Sequence, residues 1–366
     1  MRIDLLSILS RGRSFLWVIV LVCLAPIVQN PIVLSQGSVP NYRVTHIAAS
    51  GDGTRLAVLG RTGQNSSGQT VYFVDILDSA TLQVLSSVDI GANYPAMLDL
   101  SSDGSWFVYN VPYTELRTIN IVTGESAVLY GGGPSEVGAL DWSPADGRLA
   151  YAVGAGVSIA QFYGELPASQ LIDEETPGLI NAVAWSTNGH DLATTTYAPP
   201  NDYSSVGIAN IQIWREAQIT SSPIVNVPST RFSGGGSRIM VWNPTDEFIA
   251  SGYRDGVALF DVDTGQPSFL LSPSGEPSDS IAWSPDGTQI AAGSLNVIWV
   301  WDVASGQVVN TITVNGLVDA LIWLPTVGLI HNGRENGLYQ NGNLVTDPIV
   351  ATPSPTPTDI PTQKVR

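Results

Sequence analysis

The residues of this 366-residue chain best suited to proton transfer or metal binding are His46, His190 and His331, and they stand far apart. No two fall at a metal-ligand spacing, and none sits in a pattern such as H-E-x-x-H that would set a carboxylate beside a zinc site. The single cysteine, Cys23, lies within an N-terminal apolar run, so the rest of the chain forms no disulfide and no thiolate site. No G-x-S-x-G turn is present to expose a nucleophilic serine. The triplets Gly131–Gly133 and Gly234–Gly236 are not followed by helical periodicity, as a phosphate-cradling loop requires. On these grounds no catalytic residue, cofactor or metal is assigned.

Recognition is a different matter. Tyrosine and arginine dominate binding hot spots, and loops on a rigid scaffold are where such residues act. Tyr113, Tyr197, Asp202, Tyr203, Arg254, Asp255, Arg334 and Glu335 stand in polar or insert-bearing connections and form the candidate partner-binding set. Two connections are long, 61–70 (RTGQNSSGQT) and 197–207 (YAPPNDYSSVG), while 253–256 (YRDG) and 332–337 (NGRENG) are short and charged.

The elements that position these loops are strands. Apolar residues make up 44% of the chain, enough for a large core, and charged residues only 13%. Apolar runs of four to seven residues, punctuated by Gly, Asp, Asn, Pro and Ser, replace any sustained i, i+3, i+4 pattern, which is an all-β rhythm. The net charge of −17 repels phosphate backbones, and no basic stripe offsets it, so nucleic acid is excluded as a partner.

The strands repeat. The clearest unit, 279–307, reads DSIAWSPDGTQIAAGSLNVIWVWDVASGQ: an apolar run ending in Trp283, a Ser-Pro-Asp-Gly turn, an Ala-rich run, a polar break, a third run ending in Trp301-Asp302, and a second turn. In the first turn Gly287 tolerates positive φ and Asp286 bonds its own local backbone. Related units stand at 47–61, 98–110, 139–153, 182–196, 239–265 and 320–333, with turn glycines at 53, 104, 147, 189, 287 and 328. The fifth unit has Thr245-Asp246-Glu247 in place of the turn. Trp142, Trp185, Trp242, Trp283 and Trp323 recur at the end of the first strand, where they are expected to pack blade against blade.

This pattern resembles the WD40 family and its bacterial WD40-like relatives over roughly residues 40–348. The resemblance implies a seven-bladed β-propeller of four-stranded antiparallel blades, and an exported, non-catalytic scaffold for protein or peptide partners, working as a monomer. The family's Gly-His pair is missing and only Trp301-Asp302 matches its terminal dipeptide, so its Asp-His-Ser/Thr-Trp network is not expected. Two other outcomes stay open at this stage. One is an exported propeller enzyme, lactonase-like or quinoprotein-like, although the inner strand positions are mostly Ala, Val, Ser and Thr. The other is a structural cell-surface module. The last blade closes either with 344–350 or with a strand supplied by 36–43, and the resemblance favours the latter.

Domain organisation follows. Residues 1–35 carry a basic flank and the apolar run 15–28, the layout of a signal peptide or an N-terminal membrane anchor. Residues 36–350 form the propeller. Residues 351–366 (ATPSPTPTDIPTQKVR) read as a Pro/Thr-rich extended tail. The expected location is therefore the cell envelope or the medium, with membrane contact only through an uncleaved N-terminal segment.

Overall fold

A computed structural model describes residues 43–345 apart from 65, 93, 113–114, 132–135, 163–167, 174–178, 199–207, 216–225, 230–238, 254 and 334–336. Seven antiparallel sheets follow one another along the chain, and each is built from consecutive strands. Their innermost strands are Arg43–Ala49, Met97–Leu100, Val137–Trp142, Leu179–Trp185, Met240–Trp242, Ser280–Trp283 and Leu321–Leu324. Each touches the next, and the seventh touches the first, so the sheets close a ring. The protein is a seven-bladed β-propeller.

Period-2 alternation explains the core. Side chains of each blade point alternately to its two neighbours, so burial is organised as seven clusters, one at each seam between blades. The second strands sit in the middle of the stack, where space is least. Ala57, Ala150, Ala193, Ala250 and Ala291 occupy equivalent places there and are wholly buried. Four of the five recurring tryptophans, Trp142, Trp185, Trp242 and Trp283, are buried in these seams as expected, and Trp323 is half-buried.

Blade six shows three strands in strand order, yet its middle element, Gln289–Asp302, is a hairpin. Residues 290–293 pair with the first strand and 295–301 with the last. Val303 N donates to Thr288 O at 3.0 Å, which brings the two ends of the element together. The fold-back is at Asn296, whose φ of 64° is the left-handed conformation that Asn tolerates best after Gly. The blade is four-stranded in substance.

In blades one, two and six the turn after the first strand works through its aspartate. Asp286 Oδ1 accepts from Ser284 Oγ at 2.6 Å, Thr288 N at 3.0 Å and Thr288 Oγ1 at 2.9 Å. Asp52 and Asp103 repeat the arrangement. These bonds hold the carboxyls of Asp52, Asp103 and Asp286 below the usual range. Gly53, Gly104, Gly189, Gly287 and Gly328 have positive φ as the turn requires, but Gly147 does not. The turn of blade three is as long as the others, Ser143 N pairing with Arg148 O as Ser284 N does with Gln289 O, but its Asp-Gly pair stands one residue later, and Gly147 serves close approach instead: a Cβ there would lie 2.9 Å from the Phe162 carbonyl oxygen. In the fifth turn Asp246 itself takes the left-handed place, at φ 59°.

Blade seven corrects the expectation about closure. Its outer strands are Tyr339–Gln340 and Asn343–Leu344, two residues each, so the fourth strand comes from the C-terminal side. Val345 N extends that ladder to Leu338 O at 2.8 Å. Residues 36–42, favoured for this place in the sequence, lie outside the described residues. Among the described residues no helix is long and apolar enough to cross a membrane, and the run at 15–28 lies outside them.

Candidate partner-docking face

Antiparallel blades sort their connections onto two faces. One face carries the Ser-x-Asp-Gly turns and the turns between third and fourth strands. The other carries the turns between second and third strands together with the crossings from blade to blade. Backbone bonds tie these last two sets to each other: Ile180 N to Gly154 O (2.9 Å), Ser272 N to Asp255 O (2.7 Å) and Asn332 N to Ala320 O (3.1 Å).

The Ser-x-Asp-Gly face is interlocked from blade to blade. Asp52 N donates to Ser102 O at 2.8 Å, and Arg55 Nη1 reaches the Gly104 carbonyl at 2.8 Å. Arg148 donates to the Gly189 carbonyl and lies 4.4 Å over the Trp185 ring. Asp246 accepts from Thr187 N, Thr187 Oγ1 and Asn188 N, which joins blades four and five. The polar groups of this face are largely committed to one another.

The opposite face carries a cleft among its described residues. Where blades six, seven and one meet, Arg43, Thr45, Leu295, Asn296, Leu317 and Asp319 line a cleft of about 370 Å³. Leu295 and Leu317 are exposed. Asp319 accepts from Asn332 Nδ2, and Asn332 is itself fixed by its Oδ1, which accepts Ala320 N at 3.1 Å. Burial, Asp319 and Glu276 together raise the carboxyl of Asp279 above its ordinary value. Three carboxylates thus converge beside the cleft. A second hollow, about 510 Å³, lies on the rim between the outer strand of blade six and the short outer turn of blade seven.

Of the sequence-derived candidates, Tyr113, Asp202, Tyr203, Arg254, Arg334 and Glu335 lie outside the described residues. Asp255 stands in the second-to-third turn of blade five, half-buried, on the same face as the cleft. Tyr197 lies in the second strand of blade four, paired with Leu179 and Ala209. Tyr94, in a crossing between blades, is exposed and meets Tyr72 edge-on at 5.7 Å. The cleft residues Leu295, Leu317, Asp319 and the neighbouring Asp279 were not singled out from sequence, because only the closed ring brings blades six, seven and one together.

The histidines occupy three separate places. His331 is wholly buried in blade seven; its Nδ1–H faces the Asn332 carbonyl at 2.7 Å, and its Nε2 accepts Gly342 N at 3.2 Å. Both ring nitrogens are thus engaged by backbone, Tyr339 stacks on the ring at 5.4 Å, and burial lowers its pKa. His46 bonds the Ala96 backbone, and burial lowers its pKa too. His190 is exposed in a turn. Among the described residues no three His, Cys, Asp or Glu are disposed to hold a metal ion.

Two of the inner strands also hold charge. Asp99 and Asp141 occupy equivalent positions in blades two and three. Asp99 Oδ2 accepts Trp142 N at 2.5 Å, and Asp141 Oδ2 accepts Trp185 N at 2.6 Å. Each carboxylate thus satisfies an outward-facing N–H on the inner edge of the next blade. In blade four, Trp214 Nε1 donates to Thr194 Oγ1 at 3.2 Å.

Residues 273–302 match the family model for the WD40 domain, described as WD domain, G-beta repeat. The sixth blade is similar to a WD40 repeat. The match includes the turn at Ser284–Gly287 and ends on Trp301-Asp302, and the other six blades share its strand order. A comparison with curated proteins gave no match.

Proposed function

We propose that the chain is an exported, non-catalytic binding scaffold, acting in the cell envelope or outside the cell, that docks a protein or peptide on the face carrying the second-to-third strand turns. The observation that carries this reading is the acid-rimmed cleft on that face, with exposed Leu295 and Leu317. WD40 propellers typically mediate protein–protein contacts, which supports the reading. The separation of the three histidines and the engagement of both His331 nitrogens favour a scaffold over an enzyme. The basic flank and apolar run at the N-terminus support export.

Affinity capture tests it. Residues 36–366 serve as bait against an envelope and culture-medium extract of the source cells, beside baits carrying Arg254→Glu with Arg334→Glu, or Asp279→Lys with Asp319→Lys. One protein is expected to be retained by the wild-type bait, lost by at least one of these variants and kept by a Thr288→Lys control on the opposite face. Equal retention by all baits overturns the assignment of the face; no specific retention overturns the scaffold.

A further inference from the structure

We propose that the rim hollow between blades six and seven is a binding site for a neutral saccharide, with Trp323 as its aromatic platform and the amides of Gln289, Asn310 and Asn343 as its hydrogen-bonding wall. The hollow holds about 510 Å³ and shares no residue with the cleft at blades six, seven and one. It exists because blade seven is short at its outer edge. The last two strands there are two residues each, whereas the outer strand of blade six, Val308–Leu317, runs for ten. Part of the face of blade six therefore has no strand opposite it.

Trp323 departs from the rule its counterparts obey. Trp142, Trp185, Trp242 and Trp283 are 4%, 3%, 6% and 8% exposed. Phe162 covers Trp142 at 4.8 Å, Arg148 lies over Trp185, and Trp242 Nε1 donates to Ala184 O at 2.9 Å. Trp323 packs against the seam cluster but stays half-buried and lines the hollow. Among the described residues no ring or cation covers it.

The polar groups around it are held ready. Asn310 Oδ1 accepts Thr311 N at 2.8 Å, which fixes the amide and leaves its Nδ2 for a ligand. Asn341 anchors the turn that carries Asn343, because its Oδ1 accepts Leu329 N at 3.0 Å. Gly342 N donates to His331 Nε2 at 3.2 Å, and a Cβ on Gly342 would lie 2.6 Å from Ile312 Cγ2. The turn is thus pressed against blade six before any ligand arrives, which lowers the ordering cost of binding.

The lining names the ligand class. No Lys, Arg, Asp or Glu borders the hollow, so a charged ligand finds no counter-ion there. Each amide offers a donor and an acceptor side by side, which suits hydroxyl groups that both give and take. An indole face suits the C–H face of a pyranose ring. The volume lies within the roughly 300–1,000 Å³ of small-molecule sites. A nucleotide would also stack on Trp323, but its phosphates meet a chain of net charge −17.

Titration calorimetry of the full-length chain with cellobiose, maltose, lactose and chitobiose tests the site, beside digalacturonate and adenosine as charged and stacking controls. At least one neutral disaccharide is expected to bind with a Kd of about 1 mM or tighter, and both controls about tenfold more weakly. Trp323→Ala is expected to weaken that binding about tenfold, and Asn310→Ala with Asn343→Ala about threefold or more. Both asparagines are exposed, so the double variant keeps the fold if Trp323→Ala does not. No binding of any of the four disaccharides, adenosine bound in preference to them, or an affinity unchanged in the double variant overturns the site.

Discussion

Asp103 illustrates how much of this fold rests on single carboxylates. It accepts from Ser101 Oγ at 2.7 Å and from Ser105 N and Oγ at 2.9 and 2.7 Å, closing the first turn of blade two. Replacing it with alanine removes the acceptor but leaves the Gly104 conformation intact. Asp103→Ala is expected to cost about 1–2 kcal/mol in urea unfolding, with an unchanged m-value. Such residues are visible in the sequence, because Asp-Gly within a repeated frame names both the turn and the side chain that ties it. Asp99 and Asp141 were not. Periodicity tells which neighbour a side chain faces, but not that a backbone N–H on the next inner strand waits for an acceptor there.

At the scale of the element, the blades and their order were legible because each unit repeats the same apolar runs between the same turns. Even the degenerate fifth turn was placed correctly; Asp246 adopts the left-handed conformation that glycine supplies elsewhere. Two features were not legible. Blade seven closes on Asn343–Leu344, a strand too short to carry an alternating pattern, and so the N-terminal alternative looked stronger than it is. The hairpin within Gln289–Asp302 depends on Asn296, whose side chain accepts Gly316 N at 2.9 Å. A β-branched residue is strained at that φ. Asn296→Val is therefore expected to lower stability by about 1–2 kcal/mol, while Asn296→Gly loses only the side-chain bond. The two variants compared by thermal unfolding separate backbone strain from hydrogen bonding.

For the molecule as a whole, closure of the ring assigns every connection to one of two faces, and this is what makes a functional statement possible. One face is held shut by Asp52, Arg55, Arg148 and Asp246 acting across blade boundaries. The other gathers the crossings, the second-to-third turns and the cleft at blades six, seven and one. Of the candidates predicted from sequence, Asp255 stands on that face, while Tyr113, Asp202, Tyr203, Arg254, Arg334 and Glu335 lie outside the described residues. The cleft itself is a product of ring closure, and no single repeat contains it. Hydrogen–deuterium exchange on the propeller with its captured partner bound is the most direct test of the docking face. The account predicts added protection at Leu295–Asn296, Gly316–Asp319 and the blade-to-blade crossings, with the Ser-x-Asp-Gly turns unchanged. Protection confined to those turns, or to the outer strands of the rim, would contradict it.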